Sequence, residues 1–127
     1  MLSVEGGRLN AHARGVLGEV RAEQELTRKG YRIVARNVAV RGAEIDLVAL
    51  DGSVLVFVEV KLRRGGRAET GREAVTPAKQ RRISKGALEF MAQRGLMDRQ
   101  ARFDVIEIQG ADVTHIVNAF PYQGPVF

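Results

Sequence analysis

Residues 44–61 read EIDLVALDGSVLVFVEVK, two apolar runs on either side of Asp51-Gly52. Asp-Gly between apolar runs is a strong hairpin signal, because both positions tolerate positive φ. A chain that carries this stretch must build its sheet around it. Yet Glu44, Asp46, Glu59 and Lys61 are threaded through the same two strands. Carboxylates placed in a core are costly unless they are paired, hydrogen-bonded or bound to a metal.

A two-residue turn at Asp51-Gly52 predicts Leu50 opposite Ser53, Val48 opposite Leu55, Asp46 opposite Phe57 and Glu44 opposite Glu59. Strand side chains alternate between faces. Glu44, Asp46, Glu59 and Lys61 are then expected on one face, with Ile45, Leu47, Val56, Val58 and Val60 on the other. Asp46 and Glu59 become diagonal neighbours, about 7–8 Å apart at Cα, within reach of one shared ion. Glu44 directly against Glu59 is repulsive. A divalent cation offsets that, and so does Lys61. Mg²⁺ takes oxygen ligands and keeps several waters. Asp46, Glu59 and the backbone carbonyl of Val60 are the expected ligands of such an open site. A bound cation activates water and stabilises charge on a scissile phosphate. A lysine beside it would orient the water or stabilise the transition state. The plain alternative is an exposed strand face with cross-strand ion pairs.

The remaining elements follow from period and punctuation. Residues 9–29 read as a helix ended by Gly30, and 31–38 as a strand. Strands are expected over 43–50 and 53–62, then a Gly-rich charged loop over 62–72. Thr76 followed by Pro77 reads as an N-cap and first helical position, with the helix running to about Arg94. Strands over 101–108 and 113–120 surround Gln109-Gly110. Short links make the first three strands an antiparallel meander, and the second helix is a crossover to a parallel fourth strand. The expectation is an α/β sandwich: a mixed sheet with a helix on each face, in one domain over residues 1–127.

Charge points to the partner. The net charge is +5, but residues 61–85 alone hold nine Lys and Arg against Glu69 and Glu73. Positive charge so concentrated favours a polyanion, nucleic acid first. The absence of cysteine excludes a disulfide framework and a thiolate zinc site. No run approaches the roughly 20 apolar residues that span a bilayer. The N-terminal stretch has no apolar segment of signal-peptide length, so the expectation is a cytoplasmic protein with no membrane partner.

An acid on one strand followed by Glu-x-Lys on the next resembles the PD-(D/E)XK nuclease motif. More closely, the chain resembles the YraN family of predicted bacterial endonucleases, distantly similar to archaeal Holliday junction resolvases. The matching stretches are Gly18-Glu19, Gly30-Tyr31, Asn37, EIDLVA at 44–49, FVEVK at 57–61, Arg63, Lys79-Gln80, RFDVI at 102–106, His115-Ile116 and Asn118-Ala119-Phe120. The resemblance implies a restriction-endonuclease-like α-β-β-β-α-β core with one extra C-terminal strand. It implies Asp46 and Glu59 as metal ligands for Mg²⁺ or Mn²⁺, Lys61 as the catalytic lysine, and Glu19 as a helix-borne acid reaching the same site. Ala43 departs from the family, which commonly has glycine before this glutamate. Little damage is expected unless the position needs positive φ.

The remaining basic residues, Arg63, Arg64, Lys79, Arg81, Arg82 and Lys85, are expected to contact phosphates, with Gln80 beside them. Glu44 would support the acid pair. Asp104 interrupts an apolar strand and is expected to hold structure by hydrogen bonds; His12 and His115 are expected to be structural. The leading reading is a metal-dependent phosphodiesterase acting on DNA, branched or structured DNA among its candidates. The competing readings are a non-catalytic nucleic-acid-binding protein on a nuclease fold, and a protein-interaction subunit. Acting on two strands would favour a homodimer.

Overall fold

The structure is a computed structural model and describes residues 4–5, 8–9, 11–40, 42–63 and 74–124, with side chains from residue 15 onward. A small antiparallel pair, β1 (Val4–Glu5) and β2 (Arg8–Leu9), precedes helix α1 (Ala11–Arg28). Strands β3 (Arg32–Val40), β4 (Ala43–Asp51) and β5 (Val54–Arg63) follow. Helix α2 (Pro77–Gln93) leads to β6 (Ala101–Gln109) and β7 (Asp112–Phe120). The main sheet runs β3-β4-β5-β6-β7; only the β5–β6 pair, joined by the α2 crossover, is parallel. This is the expected mixed α/β sheet with its extra last strand.

Each sheet face is sealed by one helix. Val48, Leu55, Phe57, Phe103 and Phe120 pack against Ile83, Ala87, Phe90 and Met91 of α2. Leu47, Ala49, Val56, Val58, Ile106 and Ile108 pack against Ala22 and Leu26 of α1. Burying each of these large side chains contributes roughly 1.5–3 kcal/mol, which is what holds the layers together. The α2 start is as expected: the Thr76 side chain accepts from the Lys79 N–H at 3.2 Å, and Pro77 occupies the first turn.

The hairpin turn differs from expectation by one residue. Asp51 pairs with Val54, so the two turn residues are Gly52 and Ser53. Gly52 takes φ +59, whereas Ser53 is not among the positive-φ residues. Gly followed by any residue suits a II′-type hairpin, which asks for positive φ only at its first position. The second hairpin repeats this, with Gln109 paired to Asp112 around Gly110 at φ +58. The closing pair of the first ladder is therefore one residue later on both strands, Asp51 with Val54 in place of Leu50 with Ser53. The faces survive this shift; the partners do not.

A second correction concerns the faces of β4. Ala43 and Ile45 both point at Gly86 of α2, yet Leu47 belongs to the α1 side and Val48 again to the α2 side. Alternation slips once, at Asp46. Opposite it, Asn37 of β3 sits at φ +49, and the β3–β4 ladder passes from Arg36↔Leu47 to Val38↔Ile45 without pairing the residues between. A left-handed residue turns the pleat over, and asparagine tolerates that conformation better than most. Ile45 and Leu47 therefore do not share a face. Glu44 alternates away from Ala43 and Ile45, which face α2, and is exposed at the rim of the cleft that Asp46 and Glu59 line.

Candidate active site

Asp46 sits where β4 and β5 part. Their ladder runs from Asp51↔Val54 to Leu47↔Val58 and stops there. One step further, the Val60 N–H donates to Asp46 Oδ2 at 2.8 Å, so a carboxylate replaces a strand carbonyl. The N–H and C=O of one strand residue open on the same edge, which turns the Val60 carbonyl to the Asp46 side as well. The shifted register brings Glu59, rather than Phe57, across from Asp46. Both acids line a cleft of about 240 Å³ whose charged rim is completed by Glu44, Lys79 and Arg82.

The electrostatics of the cleft are unbalanced. Burial pushes the Asp46 carboxyl up, the charge of Glu59 adds to it and Glu19 adds more, bringing it to about 7 against the help of the Val60 N–H and Lys79. The charge of Glu19, carried on α1, is thus felt at Asp46. At the neighbouring Gly18 a Cβ would lie 2.7 Å from Leu62 Cδ2, so the bare backbone lets α1 close on β5. Ala43 shows no positive φ, and its methyl packs at the equally bare Gly86, so the departure at this position costs no backbone strain.

The lysines are arranged differently from expectation. Lys79, expected on the phosphate-binding surface, reaches into the cleft and pairs with Glu59 at 2.5 Å. Lys61, on the same face of β5 as Glu59, donates its ammonium to the backbone carbonyl of Ala74, just before α2. Gln80 is 4% exposed and donates to the Val75 carbonyl at 2.9 Å, so it braces the approach to α2 instead of facing a phosphate. Arg63 is half-buried and pairs with Glu107 at 3.4 Å, which withdraws it from the outer basic surface. Arg81, Arg82 and Lys85 are exposed on α2 as expected. Arg64 lies outside the described residues, as does the side chain of His12.

Glu107 is the residue that sequence reasoning missed. It is 2% exposed, stands in register with Lys61 across the parallel β5–β6 pair, and shares the α2 side with it. Only the parallel register, which no local pattern announces, places it there. Asp104 behaves as expected. It is fully buried and accepts from Arg102 Nε at 3.0 Å, from the Asn118 N–H at 2.9 Å, and from His115 Nε2 at 2.8 Å. Lys29 lies 3.0 Å from His115 Nδ1; an ammonium can only donate, so Nδ1 accepts and Nε2 carries the proton toward Asp104.

The donor set suits a hard cation of low coordination demand on the protein. Among the described residues, no group of three or more acids or histidines converges tightly enough to hold an ion alone. Two carboxylates and one carbonyl, with water filling the rest, is the arrangement Mg²⁺ accepts. Burial first, and the charge of Glu59 second, raise the proton affinity of Asp46, and a cation would offset both.

Fold and site together define a small α/β protein with an acid pair at a strand fork, flanked by lysines. A family model described as "Uncharacterised protein family UPF0102" matches residues 18–108, and the chain belongs to that family. This is the family that the EID and FVEVK stretches resemble. A UPF0102 protein of Symbiobacterium thermophilum is 55% identical over 95 residues, covering 75% of this chain and 80% of that one. A UPF0102 protein of Geobacter sulfurreducens is 50% identical over 111 residues, covering 84% and 87%. Among solved structures, the Archaeoglobus fulgidus Holliday junction resolvase Hjc aligns with TM-score 0.49 and 18% identity, over 81% of this chain and 76% of that one. Among the described residues, no helix is long and apolar enough to cross a membrane.

Proposed function

We propose that the chain is a divalent-cation-dependent phosphodiesterase acting on DNA, with structured or branched DNA as the preferred substrate class. One observation carries the reading: Asp46, Glu59 and the edge of Val60 meet in an open cleft where the strands part, and the acids there repel each other. Asp46, Glu59 and the Val60 carbonyl would hold Mg²⁺ or Mn²⁺. When bound, the cation supplies an activated water and a counter-charge for the phosphate. Glu19 adds negative charge from the α1 side. Lys61, two residues along β5 from Glu59, would leave the Ala74 carbonyl for the charge that develops on the phosphoryl oxygens. Arg81, Arg82 and Lys85 supply ground-state attraction to the backbone without reading sequence. The preference for branched DNA and the assignment of Lys61 rest on the likeness to the PD-(D/E)XK motif.

The second reading is a nucleic-acid-binding protein that does not cut. The engagement of Lys61 by a backbone carbonyl favours it, because a lysine fixed as a strut is withdrawn from chemistry. A panel of linear, forked and four-way DNAs, incubated with Mg²⁺, Mn²⁺ or chelator, separates the two. Cation-dependent cutting supports the enzyme. Retention of every substrate without a cut under both metals supports the binding protein.

A further inference from the structure

Lys79 stands where a helix gains nothing from a cation. It is in the first turn of α2, where the peptide dipoles present positive charge, and that turn contains no acid to offset it. Its charge is instead offset across the cleft, at Glu59 Oε1. The two partners differ sharply in solvent contact: 44% of the Lys79 side chain is exposed, against 8% of the Glu59 side chain. Glu59 therefore needs a partner, whereas Lys79, nearly half exposed, can exchange that partner for water. The same cleft is lined by Asp46, so the ammonium meets Glu59 inside the cleft whose two acids a cation would share.

Building on the reading of this cleft as a divalent-cation site, we propose that Lys79 is its tethered stand-in cation. It neutralises Glu59 while the site is metal-free and yields that oxygen when a divalent ion enters. Lys79 and the metal then compete for one carboxylate oxygen, and a competitor tied to the same chain sets the apparent affinity. The released ammonium joins Arg82 at the cleft rim, on the side open to an approaching phosphate. Metal binding and the presentation of a second positive charge become one event.

Calorimetric titration of Mn²⁺ into the metal-free full chain tests this. Lys79→Met keeps the apolar stem and removes the charge; it should bind Mn²⁺ about tenfold more tightly than wild type, the effect of deleting a competitor. Lys79→Gln provides a second reading of the same change. Lys79→Arg keeps the charge and should bind no more tightly than wild type. Arg82→Gln removes a neighbouring charge outside the Lys79–Glu59 pair and should tighten binding much less. In chelator, K79M should unfold at a lower temperature than wild type, and Mn²⁺ should narrow the gap. The proposal is overturned if K79M and K79Q bind no more tightly than wild type, or if R82Q tightens binding as much as K79M. The Asp46→Asn, Glu59→Gln double variant isolates the underlying reading. If it binds Mn²⁺ like wild type, the ion is elsewhere and the cleft is not the metal site, whatever Lys79 does.

Discussion

Asp46 and Asp104 are the same residue type in comparable positions, and the fold uses them in opposite ways. Each lies on an inner strand at a break in the ladder, opposite an edge strand whose asparagine takes positive φ: Asn37 for Asp46 and Asn118 for Asp104. Each accepts a backbone N–H. Burial raises the proton affinity of Asp104, but His115, Arg102 and the Asn118 N–H outweigh it and hold the carboxyl below its ordinary range. That group stabilises the fold at neutral pH, and the contribution is lost as pH falls through its depressed pKa. Asp104→Asn should therefore cost about 3–5 kcal/mol in urea unfolding at pH 7, the scale for breaking a buried ion pair, and less at acid pH. For Asp46 the sign reverses. The unfolded chain releases this proton near 3.8 and the folded one near 7, so the folded state holds more protons between them. Stability contributed by Asp46 is present at the acid end of that window and is lost as pH rises through it. Urea midpoints in chelator from pH 4.5 to 8 should fall with rising pH in wild type, and Asp46→Asn should flatten the fall. A larger fall in the variant would contradict a repulsive, desolvated Asp46.

At the scale of elements, the five strands of the main sheet and both helices were legible because their signals are local: apolar period, Thr76-Pro77, Gly30 and the two Gly turns; the β1–β2 pair was not, and Leu9, expected in the first helix, belongs to β2. What escaped was register, the choice of which residues of two paired segments stand opposite each other. Asp-Gly announces a hairpin but does not say which two residues form its turn, and the choice moved Glu59 from opposite Glu44 toward Asp46. The break in alternation at Asp46 needs Asn37 on another strand. Glu107 needs the parallel register of β5 and β6. Lys79 read as one more cation on a basic helix, because its partner lies 20 residues earlier. The contact of α2 with β4 is equally non-local and gives a direct test. A Cβ on Gly86 would lie 2.9 Å from that of Ala43, which is anchored to a strand and cannot swing aside. Overpacking costs about 1–3 kcal/mol, and the better helix propensity of alanine returns up to ~1. Gly86→Ala should therefore destabilise by about 1 kcal/mol in thermal or urea unfolding. Adding Ala43→Gly should recover the overpacking part, and a double variant no better than G86A would show that the contact is not the cause.

At the scale of the molecule, α2 and β5 carry positive charge in two settings. Arg81, Arg82 and Lys85 stand exposed on α2, whereas Lys61 and Lys79 turn inward to the Ala74 carbonyl and to Glu59. Phosphate contacts made by the outer set release counterions, so their loss should show in salt dependence. Arg81→Glu with Arg82→Glu should weaken DNA binding about tenfold or more at moderate salt and reduce the slope of log affinity against log salt by roughly 2. In the proposed reaction Lys61 acts on the transition state and not on attraction, which makes it the sharpest probe of that chemistry. Single-turnover cleavage and equilibrium binding should be measured on one DNA substrate with Mn²⁺, for wild type and Lys61→Ala. Wild type should cut, and K61A should lose cutting by a factor of about 10² or more while its affinity stays within about twofold. Wild type that binds without cutting, or a K61A variant that loses affinity in step with cleavage, would contradict a metal-dependent nuclease that uses Lys61 in its transition state.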